Sequence, residues 1–402
     1  MTLEVRAVTA DNVAEFRQVL GRAFGWEPPP EREANFARIW EPERSFCVFE
    51  GDKMVATSGA FSLELTIPGA VVPTGGTTLV SVLPTHRRRG ALRLMMEAHL
   101  ADVRDRDEPL AALWASDSGI YGRFGYGLAS QHHDLSIDRH HAGRHRLAPA
   151  AGAVSLIDAD EARERIPPIY DKLRLNRPGF FRRSETWWAE RWFADPVSNR
   201  DGATALRFAI ANDDSGYMIY RQKSDWEGGH GAGEVVVIDL IASSAEGWAG
   251  LWGLALSHDL VKKVTADRRP PDDPIFDLVA ARRRVSGPLG DALWVRPHDL
   301  LKALAARRYQ VEGKLVLEVN DRFLEHTSVV VVEGGPEGAE ARKSKAEPDL
   351  ALDLEDLGAC YMGWSRFRSL AATGRIKGDH ATLTKADFMF SWDPQPWCPE
   401  IF

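Results

Sequence analysis

The chain has 402 residues, of which 44% are hydrophobic and 27% charged, so we expect a globular, soluble protein of two or three domains. The net charge of -8 argues against a nucleic-acid partner, which needs a clustered basic face, and is compatible with a cationic substrate. The three widely spaced cysteines predict neither a disulfide framework nor a zinc site, and the sequence shows no leader and no long apolar run, so we expect a cytoplasmic protein without membrane contact.

The N-terminal segment predicts strands and an amphipathic helix. Asp11 caps a helix whose apolar residues through Phe24 share one face. Turn residues then separate segments of strand character. The predicted strands cover residues 5–8, 46–49, 54–65 and 71–82.

An arginine-rich turn joins the last of these strands to a second amphipathic helix. The turn spans residues 84–90, and the helix carries apolar side chains at three- and four-residue spacing as far as Val103. A helix start presents free backbone N–H groups, and Gly90 has no side chain to obstruct a phosphate. The turn therefore predicts a pyrophosphate site, with a solvated helix start as the alternative.

The spacing of this turn differs from that of dinucleotide and nucleoside-triphosphate loops. Arg87-x-x-Gly90-x-Leu92 instead resembles the Arg/Gln-x-x-Gly-x-Gly/Ala signature of the GNAT acetyltransferases, with Leu92 departing at the last position. This resemblance implies acetyl-CoA as co-substrate and a sheet whose two central parallel strands separate to admit it. Strands predicted at 110–115 and 131–137 fit the same order, so we expect a first domain over residues 1–140.

Two tyrosines follow the strand at 110–115. Acetyl transfer from a thioester needs a donor for the carbonyl oxygen, and a backbone N–H near Val82 is a candidate if the strands separate there. It also needs an acid, and Tyr121 or Tyr126 can serve because a phenol of pKa about 10 is protonated at neutral pH. The alternative is that both tyrosines only pack within a glycine-rich loop.

Residues 141–287 repeat the α/β alternation. The turn equivalent to residues 84–90 falls near 238–245 and lacks Arg-x-x-Gly, so we expect a degenerate GNAT-like domain without cofactor. Five histidines between His132 and His145 lack cysteine or carboxylate partners at fixed spacing, and we assign no metal. Residues 139–153 read as a linker.

The remainder, residues 288–402, predicts a separate α+β domain with a polar loop at 336–348. Its last residues, from Trp392 onward, combine three prolines with aromatic side chains, so we expect a docked end. Docking would place the α-carboxylate of Phe402 at a specific position, where it is a candidate base. Alternatively, these residues only close the core of the C-terminal domain.

Three runs together resemble the enhanced-intracellular-survival (Eis) family of GNAT N-acetyltransferases: residues 84–90, 115–116 and 119–127. The resemblance implies an α/β (α+β) fold with an N-terminal GNAT domain (1–140), a central GNAT-like domain (141–287) and a C-terminal sterol-carrier-protein-like domain (288–402). It implies a homo-hexamer that acetylates amines of aminoglycoside antibiotics by direct transfer. Protein lysines or other polyamines are alternative substrates, and a lipid-binding or scaffold protein is an alternative function.

The same resemblance implies the site residues. The general acid is Tyr121, and the general base is the terminal carboxylate of Phe402. The implied acetyl-CoA contacts are Val80, Ser81, Val82, Arg88, Arg89, Gly90, Ala91, Leu92, Arg93, Ser116 and Asp117. The run 116–118, Ser-Asp-Ser, differs from the family's commoner Ser-Glu-Gly.

Aromatic and acidic residues near the N-terminus predict the substrate region. A polyamine sugar needs aromatic faces and carboxylates. The predicted substrate contacts are Phe24, Trp26, Phe36, Trp40 and Glu400. Arginines partly cancel the glutamates between residues 26 and 44, so a solvated helix face is the alternative for each glutamate.

Overall fold

The computed structural model of the chain describes residues 2–402. The N-terminal elements are β1 (Leu3–Ala7), α1 (Val13–Phe24), α2 (Pro30–Ile39), β2 (Phe46–Glu50), β3 (Lys53–Ile67), β4 (Ala70–Val82), α3 (Ala91–Asp105), β5 (Leu110–Trp114), α4 (Ser118–Tyr121) and β6 (Gly127–Leu128). The middle elements are β7 (Gln131–Asp138), α5 (Arg139–Ala142), β8 (Val154–Ile157), α6 (Ala159–Arg174), α7 (Glu185–Trp187), β9 (Arg207–Ala211), β10 (Gly216–Lys223), β11 (Trp226–Glu227), β12 (His230–Gly231), β13 (Gly233–Ala242), α8 (Ala245–Ser257), β14 (Val261–Arg269), α9 (Ile275–Leu278), β15 (Val285–Ser286), β16 (Leu289–Asp291) and β17 (Leu293–Pro297). The C-terminal elements are α10 (Leu300–Ala306), β18 (Gly313–Asp321), β19 (His326–Gly335), β20 (Gly338–Lys343), β21 (Leu350–Asp353), α11 (Leu354–Tyr361), α12 (Phe367–Ala371) and α13 (His380–Phe390).

The first sheet has the strand order β1-β2-β3-β4-β5-β17-β6. Its strands β4 and β5 run parallel and pair as far as Thr77 and Leu113, after which β4 continues to Val82 without β5. Helix α3 packs over this sheet with Met95, Met96 and other apolar residues buried. The separation of the two parallel strands predicted from the sequence is therefore present, and α3 begins beside it.

The second sheet shows that the two α/β units exchange strands. Its order is β15-β7-β14-β13-β10-β9-β8. Strand β7, which we expected to close the first domain, pairs with β14 and buries Leu135 and Ile137 in the second core. In the first sheet β17 instead lies between β5 and β6, and its Trp294 lies opposite Leu113. The sheets therefore do not follow the predicted division at residue 140.

The C-terminal domain is built on a four-stranded sheet of order β20-β19-β18-β21. Helices α11, α12 and α13 contribute to its core. The prediction of a polar loop over 336–348 is wrong for residues 338–343, where β20 pairs along β19, whereas residues 344–348 connect β20 to β21 as a loop. This edge strand is polar along most of its length, and edge strands tolerate charged side chains. No helix within residues 2–402 is long and apolar enough to cross a lipid bilayer.

The last twelve residues, 391–402, form a segment that we call the tail. Trp397 and Cys398 are fully buried, and Phe402 is 9% exposed. These side chains belong to the large core shared by the first two units, together with Phe61 and Tyr170, and not to the core of the C-terminal domain. The expectation of a docked end is confirmed, and the alternative of a tail that only closes the C-terminal core is wrong.

Candidate active site

The start of α3 has the geometry of a phosphate-binding site. Its N-cap is Gly90, with φ of 93° and no side-chain cap, and the first intrahelical bond runs from Leu94 N–H to the Gly90 carbonyl at 3.1 Å. The amides of the first helical turn therefore keep their donors free. A Cβ at Gly90 would meet no atom within 4 Å, so the space beside the turn is open. The backbone donors and nearby arginines suit a diphosphate.

A cavity of about 780 Å³ adjoins this turn. The predicted acetyl-CoA contacts that line it are Val80, Ser81, Val82, Arg88, Gly90, Ala91, Leu92, Arg93, Ser116 and Asp117. The strand separation, the turn and the loop after β5 thus surround one cleft. The carboxylate of Asp117 accepts a hydrogen bond from Gly119 N–H at 2.9 Å, which makes this residue the N-cap of α4.

Arg89 is the one predicted contact that the structure places elsewhere. Its guanidinium donates to the Glu50 carboxylate, and His86 Nε2 lies 3.1 Å from the same carboxylate. The contacts of Arg89 and His86 lower the pKa of Glu50, with the hydrogen bond from Arg89 as the largest cause. The acetyl-CoA contact of Arg89 therefore stays a prediction: its side chain pairs with Glu50 beside the turn and does not line this cleft.

Other basic residues that we did not predict line the cleft. Arg87 belongs to the turn, and its place in the Arg-x-x-Gly motif was an available signal. Arg322 reaches the cleft from the C-terminal domain, next to Phe323. No local pattern could assign this residue, because β18 and the segment after it approach the cleft only in the folded protein.

Tyr121 and Tyr126 have different surroundings. Tyr121 lines the cleft and is 5% exposed, and burial raises its pKa to about 12. Tyr126 lies behind it, with ring centroids 6.1 Å apart, and its hydroxyl is 3.0 Å from Thr77 Oγ1. Thr77 Oγ1 is in turn 2.6 Å from His99 Nε2. Tyr121 is therefore the tyrosine whose side chain faces the cleft, in its protonated form at neutral pH.

A bulge in β4 lies between this cleft and a second cavity. Leu79 has φ of 54°, and the pairing of β3 with β4 shifts register beside it. A left-handed conformation in a residue other than glycine costs about 1–3 kcal/mol. Thr57 Oγ1 donates to the Leu79 carbonyl at 2.9 Å and stabilises the bulge. Val80 lines the cleft whereas Leu79 lines the second cavity.

The second cavity, of about 1000 Å³, lies between α1, α2 and the bulge. Of the predicted substrate contacts, Trp26, Phe36 and Trp40 line this cavity, whereas Phe24 lines the first cleft. Trp40 is buried and donates from Nε1 to Ser45 Oγ at 2.8 Å, so its ring is fixed. The charged side chains of this cavity are Arg17, Arg22, Glu27 and Glu33.

Glu400 is not available to a substrate amine. Its carboxylate accepts from Arg183 Nε, from Trp192 Nε1 at 2.8 Å and from Trp187 Nε1 at 3.2 Å. The residue is 2% exposed and lines neither cavity. Its predicted role as an amine partner is corrected, because both carboxylate oxygens are already occupied inside the protein.

Phe402 and the tyrosines reach the strand separation from different sides. The ring of Phe402 packs edge-on against Phe181, with centroids 5.6 Å apart. It also faces Gly76, where an added Cβ would lie 3.2 Å from Phe402 Cε2. Thr77, the next residue and the last one paired with β5, contacts Tyr126 on the opposite face. The Phe402 ring and the Tyr121–Tyr126 pair thus lie on opposite faces of β4, beside the last residues that pair with β5.

Comparison with known proteins reproduces this three-part architecture. Models of an acetyltransferase (GNAT) domain match residues 4–129 and 179–297, and a sterol carrier protein domain matches residues 300–399. The N-acetyltransferase Eis of Mycobacterium tuberculosis is 34% identical over 85% of this chain and 84% of its own. An N-acetyltransferase of Streptomyces avermitilis is 38% identical over the full length of both chains. The crystal structure of Eis1 from Mycobacterium abscessus superposes with a TM-score of 0.86 at 28% identity, over 99% of this chain and 100% of that one.

Proposed function

Since the chain belongs to the Eis family of GNAT N-acetyltransferases, we propose that it acetylates one or more amines of aminoglycoside antibiotics with acetyl-CoA. In this proposal Tyr121 is the general acid and the α-carboxylate of Phe402 is the general base. The observation that carries the proposal is the open cleft at the start of α3, which Tyr121 lines beside the separated end of β4.

The cleft has the donors that acetyl-CoA needs. The free amides at the start of α3 and the side chains of Arg87, Arg88 and Arg93 suit its diphosphate. Acetyl-CoA supplies the acetyl group as a thioester. The separated strand at Val80–Val82 provides backbone N–H groups beside the cleft, and one of them near Val82 serves as donor to the carbonyl oxygen.

The protein's own groups complete the proton transfers. The lone pair of the substrate amine forms the new C–N bond, and the C–S bond breaks with its electron pair on sulfur. Tyr121 donates its phenolic proton to that sulfur, and the Phe402 carboxylate accepts the proton that the amine nitrogen loses. The pKa of Tyr121, raised to about 12 by burial, keeps the phenol protonated at neutral pH.

The second cavity is the proposed amine site. Trp26 and Phe36 offer aromatic faces for a sugar ring, and Glu27 and Glu33 offer carboxylates for ammonium groups. Arg17 pairs with Glu33 at 3.1 Å and limits the negative charge of the cavity. Because the net negative charge is limited, amines with fewer positive charges than an aminoglycoside also fit the cavity. Protein lysines and other polyamines are the alternative substrates. A homo-hexamer and a cytoplasmic location stay predictions from the family resemblance and the composition.

Thiol release tests the proposed function directly. Purified protein is mixed with acetyl-CoA and one of three amines, namely kanamycin, spermidine or a lysine peptide, and free CoA is followed with a thiol reagent. We expect the largest amine-dependent release with kanamycin. Release only with the lysine peptide or spermidine would move the substrate to that class. No release above background with any amine would contradict the proposal and favour a lipid-binding or scaffold role.

A further inference from the structure

The second sheet opens in the same way as the first. Strands β13 and β14 are parallel and pair as far as Val237 and Ala266, and each then continues without the other. Beyond this point β13 carries Asp239, and β14 carries Arg268 and Arg269. A gap between two central parallel strands therefore exists in both sheets, although only the first adjoins an arginine-rich turn.

The tail fills the gap in the second sheet. Trp397 Nε1 donates to the Arg268 carbonyl at 2.6 Å, and Arg268 Nε donates to the Pro399 carbonyl at 3.2 Å. The guanidinium of Arg269 lies 4.7 Å from the centre of the Trp397 ring and donates to the Leu240 carbonyl at 2.7 Å. Backbone and side chain of the tail are thus held by the separated end of β14.

A buried ion-pair network ties the tail to β13 as well. Arg183 Nε donates to Glu400, and Arg183 Nη1 donates to Asp239 Oδ2 at 2.9 Å. Tyr217 donates to the same Asp239 oxygen at 2.7 Å. The Arg183 guanidinium lies 3.7 Å from the centre of the Trp192 ring, and Arg183, Asp239 and Glu400 are each 2% exposed. A charge-assisted network of this kind fixes the position of Glu400.

We propose that the gap of the second sheet is the docking site of the chain's own tail, and that Arg183 and Asp239 are positioning residues which hold the Phe402 carboxylate in place through Glu400. This inference rests on the proposed function, in which that carboxylate is the base. The exposed Arg191 also stabilises the docked tail, because its Nη2 donates to the Ile401 carbonyl at 2.6 Å. The domain without a phosphate-binding turn thereby contributes to catalysis in the first domain.

Two variants test the docking. Glu400→Gln removes the charge that pairs with Arg183, and Arg191→Gln removes an exposed contact without disturbing the core. We expect kcat for the amine to fall by about 10-fold or more for Glu400→Gln and by about 3-fold for Arg191→Gln. The KM for acetyl-CoA should stay unchanged, because neither residue lines the cleft. Carboxypeptidase should release Phe402 faster from both variants than from the parent protein.

Arg182→Gln is the matched control. Arg182 is an exposed arginine paired with Glu64, and its loss should change neither kcat nor the rate of Phe402 release. If Arg191→Gln, which is expected to fold normally, keeps both the parent kcat and the parent resistance to carboxypeptidase, the docking proposal is overturned. Faster release with unchanged kcat overturns it too. If a protein ending in Phe402 amide is fully active, the assignment of the carboxylate as base fails. This outcome distinguishes a failure of the proposed function from a failure of the docking proposal.

Discussion

The two GNAT units share a fold but differ at the start of the helix that follows the strand separation. In the first unit α3 begins at Gly90 without a side-chain cap, and a cleft of about 780 Å³ lies before it. In the second unit α8 is capped by Ser244, whose Oγ accepts from Gly247 N–H at 3.0 Å. A capping hydroxyl satisfies the donor that a phosphate would use. The first amides of α3 are therefore free to bind a phosphate, whereas the Gly247 amide of α8 is already bonded to Ser244.

The arginines near the strand separation also differ between the two units. Arg88 and Arg93 border the open cleft, whereas Arg183 and Arg269 are buried and form ion pairs with Asp239 and Asp273. Cations that face a cavity can pair with a ligand, but cations that are already paired inside the protein cannot. The first unit therefore has an open cleft lined by arginines, and the second unit holds the end of the chain.

The largest expected effect is at the cleft tyrosine. Tyr121→Phe should lower kcat by about 100-fold or more, because it removes the proton donor for the departing sulfur. Its dissociation constant for acetyl-CoA should stay within about 2-fold. Steady-state kinetics with equilibrium binding checks both. Tyr126→Phe is the control, since that hydroxyl contacts Thr77 rather than the cleft; an equal loss of kcat in both variants would refute the assignment of Tyr121.

Substitutions at the two helix starts should have different effects on acetyl-CoA binding. Gly90→Val should raise the KM for acetyl-CoA by about 10-fold or more, because φ of 93° is disfavoured for valine and its side chain would enter the cleft. Ser244→Ala should leave that KM unchanged and cost about 1 kcal/mol of stability through loss of the cap. Kinetics and chemical denaturation of both variants measure these effects. A raised KM in Ser244→Ala would mean that the second unit also binds acetyl-CoA.

Substitutions of two neighbouring arginines should change the KM for acetyl-CoA by smaller and unequal factors. Arg88→Gln should raise the KM for acetyl-CoA by about 5- to 10-fold, since Arg88 lines the cleft. Arg89→Gln should change it by less than about 2-fold, because Arg89 pairs with Glu50 instead. Initial rates at varied acetyl-CoA concentration decide between them. A larger effect at Arg89 would show that this arginine, and not Arg88, makes the main contact with acetyl-CoA.

The smallest expected effect at neutral pH concerns His99. Burial lowers the pKa of His99 to about 3, so the folded protein keeps the ring neutral while the unfolded chain binds a proton below about pH 6.5. The stability that the neutral His99 contributes to the free energy of unfolding is fully present above pH 6.5 and is lost as the pH falls toward 3. Between pH 6.5 and 5 this amounts to up to about 2 kcal/mol. The free energy of unfolding, measured with urea across this range, should depend less on pH in His99→Gln than in the parent protein. An equal dependence in both would exclude His99 as the source of the pH dependence.

Local patterns predicted the parts of the site that are continuous in the chain. Gly90 and the arginines before it lie in one turn, and the cleft-lining strand ends there, so their spacing already indicated a phosphate site. Glu400 was misassigned because its partner Arg183 is 217 residues away in the chain, and an exposed carboxylate looks the same in sequence as a paired one. Strand β17 enters the first sheet by a non-local pairing with β5, which no periodicity encodes.

The most direct measurement compares the protein ending in the free Phe402 carboxylate with a semisynthetic protein ending in Phe402 amide. The two differ only in the charged group that the account makes the base, and the buried ring of Phe402 is retained in both. We predict that the amide lowers kcat by about 100-fold or more while acetyl-CoA binding is unchanged. An amide protein with the kcat of the parent would contradict the account.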